Sequence, residues 1–349
     1  MRNTRVVKIG NLEIGGNNPI RIKAMLKTPL SDVDKLIEEA VSLAKEGAEA
    51  IRLAVKEEKD AEIIHTLKKH TSVPYVADIH FHYKTALKAI EAGFEGIRLN
   101  PLNIYKEDEV KEVVAAAKAK GISIRVGINS GGFKTKFKTH QELAEAMAVK
   151  CEDYLKILEA MDFFDIMISL KGSDVLSTIA AYRIISKKCN YPLHLGVTAT
   201  GSLIEAVTKS SVGLGTLLGE GIGDVIRVSL TAPAIEEVKV AKYILSSLDI
   251  RKFGPEVISC PTCSRCEVDL INLVDRFKKE LKSLKTDKPL RIAIMGCVVN
   301  GPGEAAQADI GVAFGKKKAV IFKGDKILKN SKDSDLINDL MGEVERIWT

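Results

Sequence analysis

Four of the six cysteines in this 349-residue chain fall within its last hundred residues. Cys260 and Cys263 form a C-x2-C step in ISCPTCSRCEVDL, Cys266 stands three positions further on, and Cys297 follows in RIAIMGCVVNGPGE, directly after a strand-like run. Two close cysteines and a distant one deliver three thiolates to one metal centre if their loops meet. Zinc in a closed structural site takes four Cys or His ligands, whereas iron–sulfur clusters are built on thiolates and tuned by ligand identity and surroundings. Here the second loop is not a CxxC knuckle, and its glycine-rich GCVVNGPGE can wrap a bulky cluster with backbone N–H groups. Glu304, seven residues after Cys297, is an available oxygen ligand. These features point to one iron–sulfur cluster on Cys260, Cys263 and Cys297 in a redox enzyme. The alternative is a zinc-stabilised, non-catalytic binding protein. Cys151 and Cys189 lie in helical stretches and read as inert core thiols.

A second set of chemistry-bearing residues lies in β-like runs. Ile-Arg followed by Leu or Val recurs at Arg52, Arg98, Arg125 and Arg227, each in a separate run. Side chains alternate along a strand, so each arginine faces either the space enclosed by the strands or the helices outside it. The helix side is dry, and an unpaired guanidinium there costs several kcal/mol. Lys171, at the end of the sixth run, belongs to the same mouth. Pairing with carboxylates such as Asp78 or Asp224 in a structural network is the alternative reading. Four arginines on four strands favour a polyanion pocket, and the planar guanidinium fork suits a phosphate or diphosphate.

The elements that must position these residues follow from periodicity. Between about residues 20 and 250, short β-like runs (20–25, 50–55, 74–79, 96–101, 123–129, 165–172, 193–198 and 225–231) alternate with helical stretches such as Ser31–Glu46, Tyr83–Ala92, Glu107–Lys120 and Gln141–Met161. Glycine often marks the helix end, as in KEGAEA and EAGFEG. Eight strand–helix units over roughly 230 residues fit a TIM (β/α)8 barrel, which places its active site at the C-terminal ends of the strands. A doubly wound open sheet would want a glycine-rich fingerprint after its first strand, and none is present. The composition changes after Lys252, dividing the chain into a barrel over 1–252 and a smaller α+β cluster domain over 253–349.

Bulk composition narrows the classes further. Hydrophobic residues at 46% and charged residues at 28% fit a globular protein. There is no apolar run long enough to span a membrane and no secretory h-region behind the first basic residues, so a cytoplasmic setting with reduced thiols is expected. A net charge of +6 is modest, aromatics make up 5%, and no basic block interleaves with them, so neither nucleic acid nor membrane is signalled as a partner.

The stretches VADIHF, RVGIN, HLGVT, GEGIGDVIRVSLT, ISCPTCSR and MGCVVNGPGEAAQADIGVA resemble the 4-hydroxy-3-methylbut-2-enyl diphosphate synthases, in order, from Val7 to the C-terminal helix. The resemblance implies two-electron reductive ring opening and dehydroxylation of 2-C-methyl-D-erythritol 2,4-cyclodiphosphate in isoprenoid synthesis, on a [4Fe–4S] cluster. Cys260, Cys263, Cys297 and Glu304 would then be the cluster ligands. Arg52, Arg98, Arg125 and Lys171 would hold the diphosphate with Asn129 nearby, and Glu304, Lys171 and Asn129 are the candidates for the reaction itself. Ferredoxin or flavodoxin would deliver electrons, since no flavin or nicotinamide motif is visible. A head-to-tail homodimer is implied too, with the cluster domain of one chain covering the barrel mouth of the other.

Departures from the family pattern lie on the substrate side. The family's Q-S-M-T region reads KAMLKTPLSD, with Lys23, Leu26, Pro29 and Leu30. Leu102 takes the glycine's place in N-P-G-N, His82 replaces an aspartate, and Ala199 stands where T-E-A-G carries a glutamate. Ring opening needs a proton source near the leaving oxygen, and His80 or Thr200 could relay one. The chain is thus expected to be a divergent synthase or a paralogous reductase acting on another phosphorylated substrate. Cys266 is the rival of Glu304 for the fourth cluster position.

Overall fold

The computed structural model describes residues 2–284, 286, 288–297, 303, 305, 308–315, 318–324, 326–332 and 335–348. The chain divides into two compact units, 1–251 and 252–349.

The first unit opens with an antiparallel hairpin of β1 (Val7–Ile9) and β2 (Leu12–Ile14). Eight strands follow, each leading into a helix: β3 (Arg21–Met25), α1 (Val33–Glu46), β4 (Ala50–Val55), α2 (Ile63–Leu67), β5 (Tyr75–Ile79), α3 (Tyr83–Ala92), β6 (Gly96–Leu99) and α4 (Glu107–Lys120). The series continues with β7 (Ser123–Asn129), α5 (His140–Glu159), β8 (Ile166–Lys171), α6 (Val175–Lys188), β9 (His194–Leu195), α7 (Leu203–Gly219), β10 (Val225–Ile226) and α8 (Ala234–Ser247). Every ladder between the eight strands is parallel, in the order β8-β7-β6-β5-β4-β3-β10-β9. An isolated parallel bridge between Ile168 and Leu193 brings the two ends of this order together, which gives the TIM barrel expected from the alternation.

Local chemistry starts and stops these helices. Asp32 caps α1 by accepting the Lys35 N–H, and Gly47 closes it with φ of 107°, a left-handed position that a Cβ disfavours. The long apolar β10 and β9 runs expected from sequence pair over two residues each. Beyond them the chain stays extended, with the Arg227 N–H donating to the Leu195 carbonyl. The hairpin was not anticipated. Its Val7, Ile9 and Ile14 form one buried cluster with the inward-facing Ala50, Val76, Met167 and Val225, and so plug the barrel at the N-terminal ends of its strands.

The second unit is built on a five-stranded sheet ordered β11 (Pro255–Ser259), β12 (Leu290–Met295), β13 (Ile310–Gly315), β14 (Lys318–Lys323) and β15 (Lys326–Ser331). The first three strands are parallel and the last two antiparallel, an α+β arrangement. Alternation along β12 sends Ile292 and Ile294 to one face, where α9 (Leu270–Leu281) contributes Val274 and Phe277 and α10 (Leu336–Trp348) contributes Leu340 and Val344. Ala293 and Met295 face the other way, into a second apolar cluster with Phe322. No helix among the described residues is long and apolar enough to cross a membrane.

Candidate active site

Period-two alternation turns a cation inward from strand after strand of the barrel. Arg52 on β4, Arg98 on β6, Arg125 on β7 and Lys171 on β8 are all buried, and Arg227, just past β10, is nearly so. Two carboxylates answer them. Asp78 on β5 lies 3.6 Å from Arg52 Nε and 3.4 Å from Arg98 Nη1. Burial alone would raise the Asp78 carboxyl, but Arg52, Arg98 and Arg125 outweigh it and hold the group well below the usual carboxylate range. Glu237 of α8 takes Arg227 at 3.1 Å and Lys27 at 2.8 Å, and accepts the Leu230 N–H. Asp224, the other carboxylate considered from sequence, engages Thr4 and the Leu193 N–H instead. The structural-network reading therefore holds for part of the set: Arg52, Arg98 and Arg227 have carboxylates.

The remainder of the cationic stack is left short of partners. Arg125 donates one N–H to Ser169 at 2.9 Å, while its Nε and Nη2 have no hydrogen-bond partner among the described residues. Lys171 Nζ, Lys23 Nζ and both ring nitrogens of His194 are buried without one as well. Burial, reinforced by the surrounding cations, pushes the proton affinity of Lys23, Lys171 and His194 well below their ordinary values. Two glycines leave room for the stack. A Cβ at Gly127 would meet Arg98 Nε at 2.5 Å, and one at Gly196 would run into Lys171 Nζ. Lys23 and His194 did not enter the sequence-based anion set. Lys23 stands in register with the inward-facing Ala50 of β4, and strand alternation was the available signal.

Above the stack, at the C-terminal ends of the strands, opens a cavity of about 870 Å³ walled by Asp78, His80, Arg98, Asn129, Ser130 and Ala199. Arg98 and Asn129 line it directly, while Arg52, Arg125 and Lys171 are packed deeper. His80 Nδ1 is buried here with no partner among the described residues, and His140 at the rim lies 3.0 Å from Asp174. Thr200, the other relay considered, donates its hydroxyl to the Ser229 carbonyl. Ala199 sits in the left-handed region with φ of 51°. Leu102 reaches across to Gly132 in the mouth loop, and His82 is the exposed N-cap of α3 without a side-chain capping bond. Within the KAMLKTPLSD segment, Leu26 is buried, Lys27 and Thr28 donate backbone N–H groups to Glu39 of α1, and Pro29 is exposed.

In the second unit, β11 and β12 run parallel with Ser259 opposite Ile294, so Cys260 and Cys297 leave the sheet from the same edge. The Gly296 N–H donates to Cys260 Sγ at 3.2 Å. Cys263 is exposed, and its thiol is lowered chiefly by the Arg265 backbone N–H. Cys266 differs: its thiol donates to the Val268 carbonyl at 3.2 Å, and its sulfur fills the space a Cβ on Gly296 would occupy. As placed, no three donors among the described residues are grouped closely enough to share one ion. Glu304 lies outside the described residues. The donor set nonetheless suits an iron–sulfur group: soft thiolates on loops from one sheet edge, two of them facing N–H donors that favour the anionic sulfur.

Fold and site together define a (β/α)8 barrel with a cationic interior, joined to a cysteine-bearing α+β unit. The chain belongs to the GcpE family: the GcpE TIM-barrel domain matches residues 4–242, and the GcpE protein C-terminal domain matches residues 256–346. A protein of Caldanaerobacter subterraneus subsp. tengcongensis named 4-hydroxy-3-methylbut-2-en-1-yl diphosphate synthase (flavodoxin) is 48% identical over 346 residues, which cover 99% of this chain and 97% of that one. A protein of the same name from Fusobacterium nucleatum is 47% identical over 341 residues, covering 97% and 96%. Among solved structures, a dihydropteroate synthase from Coxiella burnetii superposes with a TM-score of 0.51 at 10% identity, covering 72% of this chain and 100% of that one, a likeness of fold alone.

Proposed function

We propose that this protein carries out the two-electron reductive ring opening and dehydroxylation of 2-C-methyl-D-erythritol 2,4-cyclodiphosphate, giving 4-hydroxy-3-methylbut-2-enyl diphosphate, in the cytoplasm. The observation that carries the reading is the inward stack of Arg52, Arg98, Arg125 and Lys171, with N–H groups to spare below an open cavity. A diphosphate supplies the acceptors this stack lacks, and each charge-assisted contact adds about 1.5–3 kcal/mol. Arg98 and Asn129 on the wall meet the substrate first and orient it. Lys171, given room by the bare Cα of Gly196, neutralises charge deeper in the barrel.

Cys260, Cys263, Cys297 and Glu304 would hold a [4Fe–4S] cluster, which when bound supplies the reducing electrons delivered singly by flavodoxin or ferredoxin. The chain's own residues manage the proton. Ala199 has no acid to offer, so in this reading His80 on the cavity wall hands a proton to the departing oxygen; the His140–Asp174 pair lines the same cavity. A homodimer, each copy presenting its cluster domain to the other's barrel mouth, completes the reading.

The test is anaerobic turnover of the cyclodiphosphate by iron-loaded protein with a dithionite-reduced mediator. Turnover is the expected result, with a gain in rate for Ala199→Glu. Iron-loaded protein that binds the cyclodiphosphate without converting it would overturn the assignment. The same result would favour a paralogous reductase of another phosphorylated substrate, the reading that the alanine at position 199 supports.

A further inference from the structure

Lys23 lies on β3 two residues nearer the barrel floor than Met25, the register partner of Arg52. Its side chain is 3% exposed, and Nζ has no hydrogen-bond partner among the described residues. What faces it is mostly positive. Arg52 stands on the neighbouring β4, and Arg227 follows β10 on the other side, in the register set by Val225 and Arg21. Arg125 and His194 lie across the interior. Asp78, the carboxylate nearest in effect, is already shared by Arg52 and Arg98, and Glu237 is taken by Arg227 and Lys27. A lysine kept for packing would be given a carboxylate or be replaced by an apolar residue, because an unpaired buried amine is costly. Around it, Arg125, Lys171 and His194 also carry buried nitrogens without a hydrogen-bond partner among the described residues.

We propose that Lys23 is a further substrate-binding residue, which takes a phosphoryl oxygen at the floor of the cationic stack. The inference rests on the reading that the barrel receives a diphosphate, and it adds a contact below the four-residue clamp. An extended lysine side chain spans about the rise of two strand residues, so Nζ reaches the level of Arg52 without moving the backbone. Without a bound anion, burial first, and Arg125 and Arg52 beside it, lower the proton affinity of the amine well below its ordinary value. An arriving diphosphate reverses that balance and raises the proton affinity of the amine, so protons are drawn from solvent toward the ammonium form that pairs with it. No bond other than this N–H forms. Lys171 and His194 are buried in the same manner and add to the total uptake, so the share of Lys23 is the difference between the protein and its variant.

Titration calorimetry of the full-length protein with inorganic diphosphate, at about pH 7.5 in two buffers of different ionisation enthalpy, reads affinity and proton uptake together. The expected results are binding with net proton uptake, and for Lys23→Gln an affinity about 10- to 100-fold weaker with a smaller uptake. Lys23→Met without ligand is expected to unfold at a higher temperature than the parent protein, which a packing lysine would not give. Equal affinity and equal uptake in Lys23→Gln, or a less stable Lys23→Met, overturns the role of Lys23 while leaving the diphosphate reading intact. A parent protein that does not bind diphosphate overturns that reading itself.

Discussion

Cysteine 266 and cysteine 260 have the same side chain and opposite circumstances. The Cys260 sulfur accepts an N–H from Gly296, the polarity a metal-ligating sulfur wants, whereas Cys266 donates its S–H to a carbonyl, although both pack against the same apolar cluster. A sulfur that spends its hydrogen on a carbonyl is turned away from a metal, whereas one that accepts an N–H is oriented as a ligating sulfur is. Cys266→Ser is therefore expected to retain the full iron and sulfide content after anaerobic reconstitution, while Cys260→Ser loses it; loss of iron in Cys266→Ser would place that sulfur on the cluster in place of Glu304. Among the anion-facing residues the same logic of circumstance applies. Arg227 shares its Ile-Arg motif with Arg52, Arg98 and Arg125, yet its Nη2 is taken by both oxygens of Glu237, which makes it a strut to α8, with Nε left unpaired among the described residues.

Helix α3 shows how a departure from the family pattern can act on an element. Its N-cap, His82, has extended dihedrals but no oxygen to accept the free N–H groups of the first turn. An aspartate there supplies both the acceptor and a negative charge at the positive end of the helix. His82→Asp should raise stability by about 1 kcal/mol in denaturant unfolding, with diphosphate affinity unchanged. The bounds of α3 and α4 are legible in the chain to the residue, because a sharp apolar period ends at a glycine in each case. So is the inward set of arginines, since Ile-Arg-Leu places charge and bulk on opposite faces of a strand. The hairpin of β1 and β2 is not legible: VKIGNLEIGG has too few alternations to distinguish it from loop, and what stabilises it is the barrel floor, contributed by residues as far along the chain as Val225. His194 escaped notice for a related reason. Nothing in HLGVT says that its imidazole meets cations from β3, β4, β7 and β8, because that proximity arises from ring closure.

At the scale of the whole molecule, the buried bases make stability depend on pH. Lys23, Lys171 and His194 each have a proton affinity lowered by burial first and neighbouring cations second, so below their ordinary values the unfolded chain binds more protons than the folded one. Stability then rises with pH and is lost as pH falls, with the His194 share setting in below about pH 6.5. Thermal unfolding of ligand-free protein, followed by circular dichroism between about pH 8.5 and about pH 5.5, should move to lower temperature on acidification, most steeply under about pH 6.5. A flat profile would mean that these bases are hydrated in solution. The plug at the barrel floor has a consequence for traffic. With Val7, Ile9 and Ile14 sealing the N-terminal end, the barrel is a cul-de-sac. A reactant and the product made from it must use one doorway, and on the proposed reading both carry a diphosphate for the inner cations to grip. Each turnover then waits for the old tenant to leave before a new one can enter, so the strength of that grip sets a ceiling on speed as well as a floor on affinity.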